Sequence, residues 1–152
     1  MMKAAPINQL PLVLLTYIDG LETRDVAKIA NTLAEEIEII LANGALSKRA
    51  FLSYLTALYA AFPDWRYQHD EPATLPDGSI SIRWTQAGTH TEKWVLAGSA
   101  PIAPTGKTIQ IPKQFFVYRL AGGKIVEIRP EPIAGGVPAA IFEQLGVSTS
   151  ML

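Results

Sequence analysis

Apolar and polar positions follow two rhythms along this chain, and the change comes at Pro63. From Pro11 to Ile18 nearly every residue is apolar and the run ends at Asp19-Gly20, which predicts a short buried helix closed by glycine. Thr23 is placed to cap a second helix from Arg24 to about Asn31. Glu36-Ile37-Glu38-Ile39 alternates and predicts a strand despite the helix propensity of its glutamates. Ser47 then opens the clearest helix, with Phe51, Tyr54, Leu55, Leu58, Ala61 and Phe62 on one face. Pro63 stops it, because the residue before proline is pushed out of the α region.

Beyond Asp64 the period is two. Trp65, Tyr67 and His69 point to one side and Arg66, Gln68 and Asp70 to the other. Pro76-Asp77-Gly78 is a turn signal, after which Ile80, Ile82 and Trp84 alternate with Ser81, Arg83 and Thr85, completing a hairpin. Lys107 to Ile111, Phe115 to Leu120 and Lys124 to about Glu131 supply further strands, the last two joined by Ala121-Gly122-Gly123. Pro138 to Leu145 reads as a closing helix that ends at Gly146. Helices, then a run of antiparallel strands, then a helix make an α+β layer arrangement. A curved sheet wrapped on the long helix leaves one mouth open for a ligand.

Composition narrows the function. The 152 residues suit one domain, with no linker or repeat to divide residues 1–152. With 49% hydrophobic and 18% charged residues, the apolar surplus needs a core, a pocket or an interface to bury it. A net charge of −1, from 13 basic and 14 acidic residues spread along the chain, leaves no footprint for nucleic acid or an anionic membrane. There is no cysteine, and the two histidines, His69 and His90, lack metal-ligand spacing. No metal or other cofactor is expected. The run from Leu10 to Ile18 is too short to span a bilayer, and a cytoplasmic location is expected.

Short motifs recur in fixed order along the strand-rich half: Arg83-Trp84, Gly88-Thr89-His90-Thr91, Pro104-Thr105-Gly106-Lys107, Tyr118-Arg119 and Gly123-Lys124-Ile125-Val126-Glu127. Together they resemble the SnoaL-like polyketide cyclases of the NTF2-like superfamily, from Tyr17 through Phe62-Pro63-Asp64 to Gln144-Leu145-Gly146-Val147. The resemblance implies an α+β NTF2-like cone, a curved mixed or antiparallel sheet around N-terminal helices with one pocket. It also implies a homodimer and a cofactor-independent reaction on a hydrophobic carbonyl compound. The segment from Ile109 to Phe116 is one residue longer than the family norm, which places a bulge at Pro112-Lys113.

In the family a Gly-Lys-Ile-x-Glu-His-Trp-x-x-x-Asp pattern carries the proton-transfer aspartate. Here Ile128 replaces the histidine, Arg129 the tryptophan and Ile133 the aspartate. Strand parity offers Glu131 as a substitute acid/base, with Arg129 or Arg83 to hold a carbonyl or enolate oxygen and Glu127 on the same face. A Glu-Arg-Glu row is equally the signature of a solvated strand face. His90 has the pKa range for proton transfer, but in the family a histidine here shapes the hairpin. Tyr17, Trp65, Tyr67, Trp84 and Phe116 are candidates to line the pocket, with His90 and Arg83 beside them.

Three functions remain open. The chain is a cyclase or isomerase, a non-catalytic module that binds a hydrophobic small molecule or a protein partner, or a structural dimer.

Overall fold

The computed structural model describes residues 3–4, 10–41, 44–96, 100–133 and 139–146. Among these, the order is β1 (Lys3–Ala4), α1 (Leu12–Thr23), α2 (Val26–Thr32), β2 (Leu33–Leu41), β3 (Gly44–Leu46), α3 (Lys48–Ala61), β4 (Arg66–His69), β5 (Ala73–Thr74), β6 (Ile80–Thr89), β7 (Thr108–Ala121), β8 (Lys124–Pro130) and α4 (Ala139–Leu145). The strands form one sheet in the order β1-β5-β6-β7-β8-β2-β3, with β4 also on β6. Among the described strands only β2 and β8 run parallel. This curved mixed sheet with its helices is the expected α+β, NTF2-like architecture.

Three helical details differ from the pattern. Gly20 does not close α1, which runs on to Thr23 and ends at Arg24 in the left-handed conformation, φ 54°. Glycine is needed at position 20 for a different reason: a Cβ there would meet Ile29 Cγ1 at 2.8 Å, so Gly20 lets α2 lie close against α1. Thr23 caps nothing, because its hydroxyl bonds back to the Asp19 carbonyl at 2.8 Å. Asp25 is the true cap of α2, accepting from Lys28 N–H at 3.0 Å. Ser47 does cap α3 as expected. Of the expected closing helix, Pro138 lies outside the described residues.

The expected break between two strands at Pro112-Lys113 is a bulge within one long strand. Trp84 pairs with Gln114 and Gln86 with Ile111, so residues 112 and 113 together oppose Thr85. Gly122 (φ 59°) and Gly123 (φ 75°) form the two-residue turn into β8, where Ala121 pairs with Lys124.

The interior divides into two clusters. One gathers Tyr17, Leu21, Ile39, Leu55, Trp84, Tyr118 and Ile128 between the helices and the inner face of the sheet. The other gathers Leu58, Phe62, Trp65, Trp94, Ile109, Ile111 and Phe142 under α4. Gly88 belongs to the wall between sheet and helix end: a Cβ there would stand 2.5 Å from Trp65 Cε3. Asp64 fastens the same corner by accepting from Thr89 N–H at 2.7 Å and from the Thr89 hydroxyl at 3.0 Å.

Candidate functional site: a tyrosine-lined cavity

The first cluster is not filled. A cavity of about 70 Å³ lies between α1, α3 and the inner face of the sheet. Helical spacing brings Tyr17 and Leu21 to it from α1, and Phe51, Tyr54, Leu55 and Leu58 from α3. Strand parity brings Ile39, Tyr67, Trp84, Gln86, Phe116, Tyr118, Ile128 and Pro130. Leu41 and Leu46 complete the lining. None of these side chains is a carboxylate, a histidine or a cation. Its polar atoms are tyrosine hydroxyls, one amide and one indole N–H.

Those polar atoms are organised by two tryptophans. Trp84 Nε1 donates to the Tyr118 hydroxyl at 2.9 Å, and Trp65 Nε1 donates to Gln86 Oε1 at 3.2 Å. Tyr17 stands edge-on to Tyr118, ring centroids 5.4 Å apart, and their hydroxyls interact. Tyr67 shares a 2.6 Å hydrogen bond with Tyr59 behind it. Burial pushes the phenols of Tyr17, Tyr54, Tyr59, Tyr67 and Tyr118 up from their ordinary range. All five therefore stay protonated at neutral pH and act as neutral donors.

Four of the residues singled out from sequence, Tyr17, Tyr67, Trp84 and Phe116, meet in this cavity. Trp65 stands one layer behind, touching it through Gln86. His90 is elsewhere: fully buried in the second cluster, its ring stacks on Phe62 with centroids 5.1 Å apart, and Thr105 N–H donates to its Nδ1 at 3.2 Å. Burial lowers its pKa. Arg83 lies on the outer face, its guanidinium 4.1 Å from the centre of the Phe115 ring.

Glu127, Arg129 and Glu131 also share the outer face, as parity requires, and that face is turned away from the cavity. Glu127 pairs with Arg119 at 3.5 Å and Arg129 at 3.1 Å. Glu131 Oε1 accepts from the Phe115 N–H at 3.1 Å, so its carboxylate closes the end of the β7–β8 ladder. On the inner side of the same strand Ile128 lines the cavity where the family pattern has histidine. The residues missed from sequence as a site are Tyr54, Gln86 and Tyr118. Gln86 and Tyr118 share parity with Trp84 and Phe116 respectively, and that signal was available.

Residues 14–128 match the SnoaL-like domain. The chain belongs to the SnoaL-like domain family. No curated protein matches it. Among solved structures, AclR of Streptomyces galilaeus, named as a candidate hydroxylase, superposes with a TM-score of 0.68 at 19% identity, over 91% of this chain and 85% of that one. IdmH of Streptomyces antibioticus, named as a candidate polyketide cyclase, gives 0.60 at 19% identity, over 89% and 96%. A candidate polyketide cyclase of Xanthomonas campestris gives 0.59 at 16% identity, over 80% and 87%. At these identities the likeness carries the fold.

Among the described residues no group of acidic or histidine side chains could hold a metal ion. No described helix is long and apolar enough to cross a membrane.

Proposed function

We propose that this SnoaL-like protein binds a hydrophobic, oxygen-bearing small molecule in the tyrosine-lined cavity. The observation that carries the proposal is the lining itself, apolar side chains with a few hydroxyl and amide groups and no ionisable carboxylate or imidazole. A general base within reach of the ligand is what proton abstraction at carbon requires. The lining supplies donors for that chemistry and no base. Native mass spectrometry of protein purified from its own cells tests the function. A retained hydrophobic compound, recovered chemically unchanged after incubation, is the expected result; its conversion by the protein would overturn the binding function in favour of catalysis.

A second function, a cofactor-independent cyclase or isomerase on a hydrophobic carbonyl compound, is favoured by one bond. Tyr118 receives the Trp84 N–H at 2.9 Å, which strengthens its own hydroxyl as a donor to the alkoxide oxygen that develops on an attacked carbonyl. Such an enzyme would act on a substrate that supplies its own enol: the enol carbon attacks the carbonyl carbon, and the enol proton passes to the new alkoxide.

A further inference from the structure

Two buried donors under α4 stand apart from everything the cavity uses. His90 and Trp94 are both wholly covered, and neither His90 Nε2 nor Trp94 Nε1 has a hydrogen-bond partner among the described residues. Their rings share one aromatic box. Phe62 stacks on His90 and stands edge-on to Trp94, which stacks in turn on Phe142.

The backbone fixes the tautomer of His90. Thr105 N–H donates to Nδ1 at 3.2 Å, and a peptide N–H cannot reverse its role, so Nδ1 carries the lone pair and the ring hydrogen sits on Nε2. The Thr105 hydroxyl, 3.0 Å from Nδ1, accepts from Lys107 N–H and has its own hydrogen free for the same lone pair. Main-chain bonds complete the contact. His90 N–H donates to the Lys107 carbonyl at 2.9 Å, Gly106 N–H to the His90 carbonyl at 2.8 Å, and Trp94 and Ile102 exchange a pair of bonds at 2.9 Å. The segment 102–107 is thus fastened over the box. Of these fastenings the ring nitrogen is the one that titrates.

An added proton meets no acceptor there. On Nδ1 it would point at the Thr105 N–H, donor against donor, and its charge would lie among apolar rings. The charged residues nearest the box along the chain, Asp64, Arg66, Glu92, Lys93, Lys107 and Glu143, are all exposed, and the buried members of the cluster are all apolar. The titratable groups packed against that cluster, Tyr54, Tyr59 and Tyr67, are neutral phenols. Burial lowers the pKa of the ring and prevails over the Glu92 carbonyl, which favours the charged form. Residues 103–107 are exposed, so a charged ring reaches water by lifting that segment. Opening the box also relieves the stranded indole and imidazole N–H groups, which are costly to leave without partners.

We propose that His90 is an acid-sensitive latch: uptake of one proton by its ring releases the segment 102–107 and opens the interior under α4. A base held below its ordinary value contributes stability that is complete above the unfolded pKa, ~6.5 for histidine, and is lost progressively as the pH falls below it towards the folded value. The latch is therefore shut at pH 7 and loosens towards pH 5. It works whatever the tyrosine cavity binds.

Hydrogen exchange read by mass spectrometry on the intact protein tests the latch. After correction for the intrinsic rate, opening of peptides that cover Trp94, residues 102–107 and α4 should rise by roughly twentyfold between pH 7 and pH 5, the limit for one proton taken up by a histidine that is ordinary once exposed. His90→Asn offers an amide oxygen where Nδ1 accepts and has no proton to gain, so the same rise should shrink to about twofold or less. An equal rise in both proteins, or none in the wild type, overturns the latch. Nitrogen-15 spectra of the histidine rings at pH 7, assigned with His69→Gln, keep the test independent of whether His90→Asn folds. A hydrogen on Nε2 and a bare Nδ1 are the expected state of His90; a hydrogen on Nδ1 overturns the proposal.

Discussion

Tyr118 stands opposite Ile80 on the neighbouring strand, yet its hydroxyl is held by Trp84, whose indole Nε1 reaches along the sheet to donate at 2.9 Å. Both side chains are almost wholly buried, so this single bond satisfies a donor that water cannot reach. Removing the acceptor in Tyr118→Phe strands the indole N–H and should destabilise the protein by about 1–3 kcal/mol. Urea unfolding measures this; a loss below a few tenths would show that the indole finds another partner.

All five phenols are raised above their ordinary range, with burial the leading cause, Tyr17 and Tyr118 being almost wholly buried and Tyr54, Tyr59 and Tyr67 half-buried. Their unfolded pKa is near ~10. A folded pKa above the unfolded value means that this contribution to stability is complete below about pH 10 and is lost as the pH rises further. Absorbance at 295 nm should stay flat through that pH in the folded protein. Phenolate should then appear together with loss of the far-ultraviolet signal, in one cooperative step. A gradual titration near pH 10 with the fold intact would contradict the burial of these groups.

At the opposite end of the scale stands Asp64. Desolvation is the largest single influence and raises its pKa, but the Thr89 N–H and hydroxyl and the neighbouring Arg66 together outweigh it, and the net shift is downward. A depressed carboxylate contributes stability above its unfolded pKa and loses it as the pH falls through the folded one. Asp64→Asn should cost about 1 kcal/mol at neutral pH, the scale of a single net hydrogen bond. It should also flatten the acid limb of the stability profile below about pH 4. Thermal melts from pH 2 to 7 on both proteins would reveal it.

Gly88→Ala tests the wall between sheet and helix. A methyl group 2.5 Å from Trp65 Cε3 needs the indole or the strand to move, at a cost of about 1–3 kcal/mol. Because Trp65 holds Gln86 in the cavity lining, the same change should weaken retention of the bound hydrophobic compound as well as lower the melting temperature. An unchanged melting temperature would mean that the indole has room to shift.

On the outer face, Glu131→Gln keeps an oxygen for the Phe115 N–H, and Arg129→Gln loses only an exposed ion pair. Neither should alter affinity for the retained hydrophobic compound by more than about twofold, and each should cost under about 1 kcal/mol of stability. A large loss of affinity would place the ligand on that face.

How far the chain could be read from its residues depended on the range of the interaction involved. Ser47 and Pro63 act on their own neighbours and mark α3 correctly. The extra residue at positions 112–113 predicts a bulge that the register shows. Gly20 and Asp19 misled because the reason for glycine there is Ile29 on the next helix, a contact no local pattern contains. The Glu127, Arg129 and Glu131 row was placed correctly on one face, but parity says only that three side chains agree, not which way they point. The paired roles of Trp65 and Gln86, and of Trp84 and Tyr118, come from distant positions and needed the fold.

The bulge in β7 has one more consequence. Ile109 and Ile111, before it, belong to the cluster under α4, while Phe116 and Tyr118, after it, belong to the cluster around the cavity. One long strand thus serves two interiors, and the irregularity is where they meet. The half under α4 is closed by stacked rings, Trp94 on Phe142 at 4.7 Å. The other half keeps free volume, and loosely packed interiors open at lower free energy than dense ones. Amide exchange should therefore run at two speeds along a single strand, slow before residue 112 and faster after residue 113, with a bound guest slowing only the second. The bulge lets one end of the curved sheet open while the other stays shut.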